Sequence, residues 1–149
     1  MKDYSQNGEQ KIILEYFGGR KGMFLDVGAN DGITFSNTAA LTDLGWLGFC
    51  VEPSPAAFIK LQSNNPGNGP TLINAAITTR DGPIDLYDSG THLKKGDVAL
   101  LSTTRPDEMD RWKKSGEQFT KISVRGITFE TLMKETGVTH FDMMSGDAD

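Results

Sequence analysis

The sequence predicts an α/β fold, a doubly wound sheet of parallel strands with helices on its faces. Three observations carry that prediction. An apolar run, Phe24-Leu25-Asp26-Val27, ends at a glycine-containing turn, Gly28-Ala29-Asn30-Asp31-Gly32. A second apolar run, Gly48-Phe49-Cys50-Val51, ends in Glu52, twenty residues past Gly32. Around these two runs, helix-like and strand-like segments alternate.

Each element has its own local reason. A polar start, residues 1 to 8, leads into a helix from about Glu9 to Phe17, with Ile13, Leu14 and Phe17 on one face. Gly18-Gly19 breaks it, and the first strand is about Met23 to Val27. A helix of about Thr34 to Leu44 should follow, stopped by Gly45. Its first amides are expected to face a ligand. The second strand is about Gly48 to Glu52. Ser54 then caps a helix with Pro55 at its first position, and Ala57, Phe58 and Leu61 point to the sheet. A third strand spans about Thr71 to Ile77.

The alternation changes after that. Ile84 to Tyr87 and Val98 to Ser102 read as short strands of a hairpin-like insertion around residues 90 to 96. The charged run Arg105 to Lys114 reads as a solvated face, helical from about Asp107 to Lys113, with an acceptor-site lid as the lesser reading. Lys121 to Ile127 alternates as a strand, Thr128 caps a helix of Phe129 to Glu135, and Gly137 ends it. The last strand is Phe141 to Ser145. With four core strands and an exposed parallel edge, the chain is expected to be the N-terminal part of a longer protein.

Composition narrows the function. The 149 residues suit one domain, 1–149, and 37% hydrophobic content is enough for a core. A net charge of −5 gives no global attraction to nucleic acid or anionic membrane. No apolar run approaches transmembrane length, and the first residues lack a signal peptide's apolar core. The single Cys50 reads as a small buried residue, and a cytoplasmic, reducing location is expected. His92 and His140 have no partners at metal spacing, so no metal is expected. Trp46 and Phe49 read as core.

The loops carry the chemistry. Gly28 and Gly32 allow positive φ and close approach of a ligand. Asp26 lies at a strand end, where its carboxylate can bind the loop or a ligand amine, or cap the next helix. Glu52 offers two oxygens to the paired hydroxyls of a ribose. The pattern departs from the dinucleotide fingerprint, because Asn30 stands where its second glycine belongs. Without that glycine a pyrophosphate approaches less well. A sulfonium nucleoside has no phosphate, and Asp26, Asp31 and Glu52 suit a cation.

Several segments together resemble the FkbM-type S-adenosylmethionine-dependent methyltransferases. They are Tyr4 to Glu9, Phe24 to Gly32, Ser36-Asn37-Thr38, Gly45-Trp46 and Cys50 to Pro55, followed by Asn74 to Ile77, Thr128 to Leu132 and Phe141 to Asp149. The resemblance covers nearly the whole chain, and the order and spacing of the pieces make it specific. It implies a class I methyltransferase, Rossmann-like doubly wound sheet lacking its C-terminal strands. It implies that S-adenosyl-L-methionine is the cofactor, with its methionine part cradled by Asp26, Gly28, Ala29, Asn30, Asp31 and Gly32. Glu52 and the adjoining Pro53 would hold the ribose side, and Ala75 and Ala76 would lie near the adenine. Asp147 would face the methyl group and the acceptor, as a catalytic base or a cofactor contact, with Asp149 as a weaker candidate. The family mostly methylates hydroxyl oxygens, often on sugars or natural products, so the expected partner is a small-molecule or glycan acceptor. Two departures stand out: Gly146 replaces an apolar residue before Asp147, and the Glu-Gly pair of the family does not follow it. The competing readings are an NAD(P)-binding Rossmann oxidoreductase and an inactive cofactor-binding or interaction module.

Overall fold

The computed structural model describes residues 1–89, 102–114, 116 and 118–146. The elements form where the local chemistry asks for them. Helix α1 (Glu9–Phe17) ends at Gly18, whose left-handed φ of 55° lets its N–H reach back to the Leu14 carbonyl. Strand β1 (Met23–Val27) pairs in parallel with β2 (Leu47–Val51), and β2 pairs in parallel with β3 (Thr71–Ile73). Helix α3 (Pro55–Asn64) starts as expected: Ser54 Oγ accepts a hydrogen bond from the Ala57 amide at 3.4 Å, with Pro55 in the first turn. Helix α5 (Phe129–Thr136) is capped by Thr128 and closed by Gly137 at φ 70°. Strand β7 (Met143–Gly146) lies parallel to β1 on the side away from β2.

The main sheet therefore runs β3-β2-β1-β7, all parallel. Chain order reverses between β1 and β7. In such sheets the connections leave β1 and its neighbour toward opposite faces, which opens a crevice at their C-terminal ends. The core lies on both sides of β1. Phe24 and Leu25 are fully buried, and successive strand side chains face opposite ways. Phe24 packs with Leu41, Trp46, Cys50 and Leu61. Leu25 packs with Val51, Ala75, Ile127 and Leu132. Trp46 is core, as expected, with its ring edge-on to Phe17 at 4.8 Å.

Three expected elements come out differently. The helix expected over Thr34 to Leu44 is only α2 (Ala39–Asp43). The Asp31 carboxylate folds residues 31–34 into a turn, accepting from the amides of Ile33 and Thr34. Phe35 then adopts a left-handed φ of 55°, which no α-helix accommodates. The expected third strand divides at Asn74-Ala75. Thr71–Ile73 stays in the main sheet, while β4 (Ala76–Ile77) joins a second sheet with β6 (Thr120–Ile127) at its centre and β5 (Gly82–Asp88) at its far edge. In that sheet β5 pairs antiparallel with β6 over its full length. The hairpin partner expected at Val98 to Ser102 lies mostly outside the described residues, and Tyr87 instead bridges Thr103. Helix α4 (Pro106–Lys113) buries none of its residues, as a solvated face should. No helix among the described residues is long and apolar enough to cross a membrane.

Candidate functional site

The turn after β1 is held by the end of β2. The amides of Gly28 and Ala29 both donate to the Val51 carbonyl, at 2.9 and 3.1 Å. Gly28, Asn30 and Gly32 all have positive φ, at 76°, 52° and 77°. Asn30 thus adopts the backbone conformation a glycine would take, one that Asn tolerates better than most residues. The Gly32 amide closes the turn on the Ala29 carbonyl.

Glu52 lies beneath this turn with 5% of its surface exposed. One carboxylate oxygen accepts from the Asn30 amide and the other from the Ser54 amide, each at 2.8 Å. The side chain therefore joins the loop after β1 to the loop after β2. Burial pushes its pKa up to about 7, against those two hydrogen bonds, and the nearby charges of Asp88 and Asp26 push the same way. Asp88, at the end of β5, accepts from the hydroxyls of Ser54 and Ser102 at 2.9 and 2.6 Å. The Cys50 thiol is buried, and burial with the Asp26 charge raises its pKa well above the usual range, so it is not a nucleophile.

A cleft of about 470 Å³ opens at the C-terminal ends of β1 and β7. Asp26, Gly28, Ala29 and Asn30 line it from β1 and the turn after it, and Ser145 and Gly146 from β7. Register explains the pairing: Asp26 lies beside Ser145 and Val27 beside Gly146. Gln6 and Glu9 from the start of the chain, Thr34, Phe35, Ser36 and Asn37, and Trp112 complete the lining. Among the described residues, that lining carries two carboxylates and neither Lys nor Arg. Asp26 is held from the side: Thr38 Oγ1 donates to its Oδ2 at 2.6 Å. This bond is buried and charge-assisted, so Thr38→Val should destabilise the chain by about 1–3 kcal/mol. Equal melting of Thr38→Val and wild type would show the bond to be worth nothing.

A second, small slot of about 50 Å³ lies beside the cleft. Val27, Pro53, Ala75, Ala76, Ile77 and Leu86 form its apolar side and Ser102, Thr103 and Thr104 its polar side, and Gly28 borders both cavities. The expected adenine residues Ala75 and Ala76 are thus within one glycine of the expected methionine residues.

Not every residue singled out in the sequence lines these cavities. Asp31 spends its carboxylate on the turn, accepting from Ile33, Thr34 and the Thr34 hydroxyl. Gly32 faces α3: a Cβ there would stand 2.7 Å from Leu61. Both shape the loop from behind the cleft. The helix amides expected to face a ligand do not, because Ser36 Oγ accepts from the amides of Thr38 and Ala39. Asp147 and Asp149 lie outside the described residues, as does His92. His140 is exposed and pairs with Asp142 on the surface.

Sequence reasoning missed Asp88, Ser102, Trp112 and the cleft role of Asn37. Asp88 has no local signal, since its partners are 34 and 14 residues away. Gln6, Glu9 and Asn37 did fall within segments that carried the family resemblance, and that was the available clue.

Comparison with known proteins shows the family. A family model described as the methyltransferase FkbM domain matches residues 26–149. No curated protein sequence matches the chain. One solved structure, titled "Conversion of a Disulfide Bond into a Thioacetal Group during Echinomycin Biosynthesis", is 11% identical, with 85% of each chain covered and a TM-score of 0.31. At that score the likeness carries no argument.

Proposed function

This chain belongs to the methyltransferase FkbM domain family, and from that premise we propose that it transfers a methyl group from S-adenosylmethionine to a hydroxyl oxygen of a sugar or natural-product acceptor. The observation that carries this reading is the cleft at the β1–β7 switch point, with carboxylates and no basic residue in its described lining. A cationic, phosphate-free cofactor fits that wall better than a dinucleotide. Methyl transfer needs an activated methyl, which the bound cofactor supplies on its positive sulfur.

The chain's own residues do the rest. Gly28, Ala29 and Asn30 present backbone rather than bulk to the methionine end. Glu52 lies beneath the loop it anchors and outside the lining of both cavities, and we assign it to the ribose hydroxyls. Pro53, Ala75 and Ala76 form the apolar side of the small slot next to Gly28, where an edge of the adenine would rest. Proximity and alignment account for most of the rate in such displacements. An alcohol acceptor needs a group to take its proton, and we assign that role to Asp147, which follows Ser145 and Gly146 from the cleft wall. Phe35, 47% exposed, and Trp112 add aromatic surface to the rim where an acceptor enters.

Calorimetric titration of the purified chain with S-adenosylhomocysteine, with NAD as control, tests the reading. The expected result is saturable binding of the first alone. Binding of NAD alone would move the chain to the oxidoreductases.

A further inference from the structure

We propose that Asp88 is a positioning residue for cofactor binding: one of its carboxylate oxygens holds the two sides of the small slot together and, through Ser54, fixes the orientation of Glu52. The proposal rests on the cofactor reading above and goes beyond it, because Asp88 lines neither cavity.

Three segments distant in the chain meet at this oxygen. Asp88 ends β5, in the second sheet. Its Oδ1 accepts from Ser54 Oγ at 2.9 Å and from Ser102 Oγ at 2.6 Å. Ser54 follows Pro53, which stands on the apolar side of the slot, and Ser102 stands on the polar side with Thr103 and Thr104. Ser102 is tied in further, because its Oγ accepts from the Ser89 amide at 2.9 Å. Backbone bonds in both directions between Tyr87 and Thr103, at 2.8 and 3.1 Å, hold the 102–104 segment against β5. The separation of the two sides is therefore set where β5 ends.

The second arm runs to Glu52. The Ser54 amide donates to one Glu52 oxygen at 2.8 Å, and the Asn30 amide donates to the other. Ser54 is fully buried, and its Oγ also accepts from Ala57 at the start of α3. With its hydroxyl hydrogen committed to Asp88, the position of Ser54 is fixed, and with it the amide that orients Glu52.

An apolar residue could join the two sheets without burying a carboxylate, which must be compensated by hydrogen bonds. Asp88 adds direction and charge. One oxygen takes two hydroxyls in charge-assisted bonds, a geometry that a packing contact does not reproduce. The charge also reaches Glu52. Burial is the main reason that the Glu52 pKa stands at about 7, and the charges of Asp88 on β5 and Asp26 on β1 push the same way.

Titration of S-adenosylhomocysteine into wild type, Asp88→Ala and Asp88→Asn between about pH 6 and 8 tests this. Asp88→Ala releases both serines and should weaken binding about 5- to 30-fold. Asp88→Asn keeps the acceptor oxygen and loses the charge. It should bind within about threefold of wild type at the upper end of that range. Its rise in affinity with pH should come at lower pH than in wild type, because Glu52 ionises more readily beside a neutral amide. A residue that only stabilised the fold would not move that profile. Thermal melts confirm folding, and should Asp88→Ala fail to fold, the Asp88→Asn profile decides. Wild-type affinity in a folded Asp88→Ala chain, an Asp88→Asn chain as weak as Asp88→Ala, or an unmoved Asp88→Asn profile would each overturn the assignment. A folded wild type that does not bind would overturn the cofactor reading itself, and the role of Asp88 with it.

Discussion

Replacing Glu52 with Ala is expected to weaken S-adenosylhomocysteine binding by about 1–3 kcal/mol, the cost of leaving buried partners unpaired. The effect has two sources. The ribose hydroxyls lose their acceptor, and the Asn30 and Ser54 amides lose theirs, at 2.8 Å each. The second loss frees the loop that forms the cleft wall. Glu52→Gln separates them in part, because its one amide oxygen serves only one of the two backbone donors. Titration calorimetry on both variants, with melts to confirm folding, checks the prediction. Wild-type affinity in a folded Glu52→Ala chain would remove the ribose assignment.

The same side chain makes a pH prediction whose sign follows from its burial. Its folded pKa is raised to about 7, above the ordinary carboxylate value of 4.5. The folded state therefore holds the proton more tightly than the unfolded state. This contribution to stability is full below the unfolded value and is lost as pH rises through about 7. The span corresponds to about 3 kcal/mol. Glu52→Gln should flatten the stability–pH curve between about pH 5 and 7, measured by denaturant unfolding. Binding should run the other way. If the ionised form accepts the ribose hydroxyls, affinity for S-adenosylhomocysteine should rise about tenfold between about pH 6 and 8. A flat binding profile would detach Glu52 from the cofactor.

The second large effect is on stability. Phe24→Ala should cost about 3–5 kcal/mol, because the ring is fully buried at the centre of one core face. Its partner is Gly48, directly opposite in the β1–β2 register. A Cβ on Gly48 would stand 2.2 Å from the Phe24 ring. Gly48→Ala should therefore destabilise by about 1–3 kcal/mol through overpacking. The two effects should not add. In the Phe24→Ala, Gly48→Ala double variant the ring that the new methyl strikes is gone, so the Gly48 penalty should vanish. Denaturant unfolding of the two single variants and the double closes the cycle. Strict additivity would mean that the ring and the glycine do not constrain each other.

That ring and that glycine also show why sequence reading stops where it does. Apolar runs, glycine stops and caps are local, so β1, the Ser54–Pro55 start of α3 and the Thr128–Gly137 bounds of α5 were legible in the chain. So were the buried strand ends Asp26 and Glu52. The short form of α2 was not, because the turn around Asp31 and the φ of Phe35 compete with a helix whose apolar pattern is sound. The division of the third strand was not either. Ala76–Ile77 leaves the main sheet because Gly126–Ile127 offers it a ladder, and that partner lies about fifty residues on.

What the sequence by itself determined is the α/β class with its parallel strands, the acidic residues at the tips of the first two and the family to which they belong. Those depend on residue type and near-neighbour spacing. The tertiary structure decided which of the loop residues face the cleft. Asp31 and Gly32 turn inward to the loop and α3, while Gln6 and Trp112 arrive from elements distant in the chain. A cavity is made by the convergence of backbones, and no periodicity in one segment encodes where the others will end.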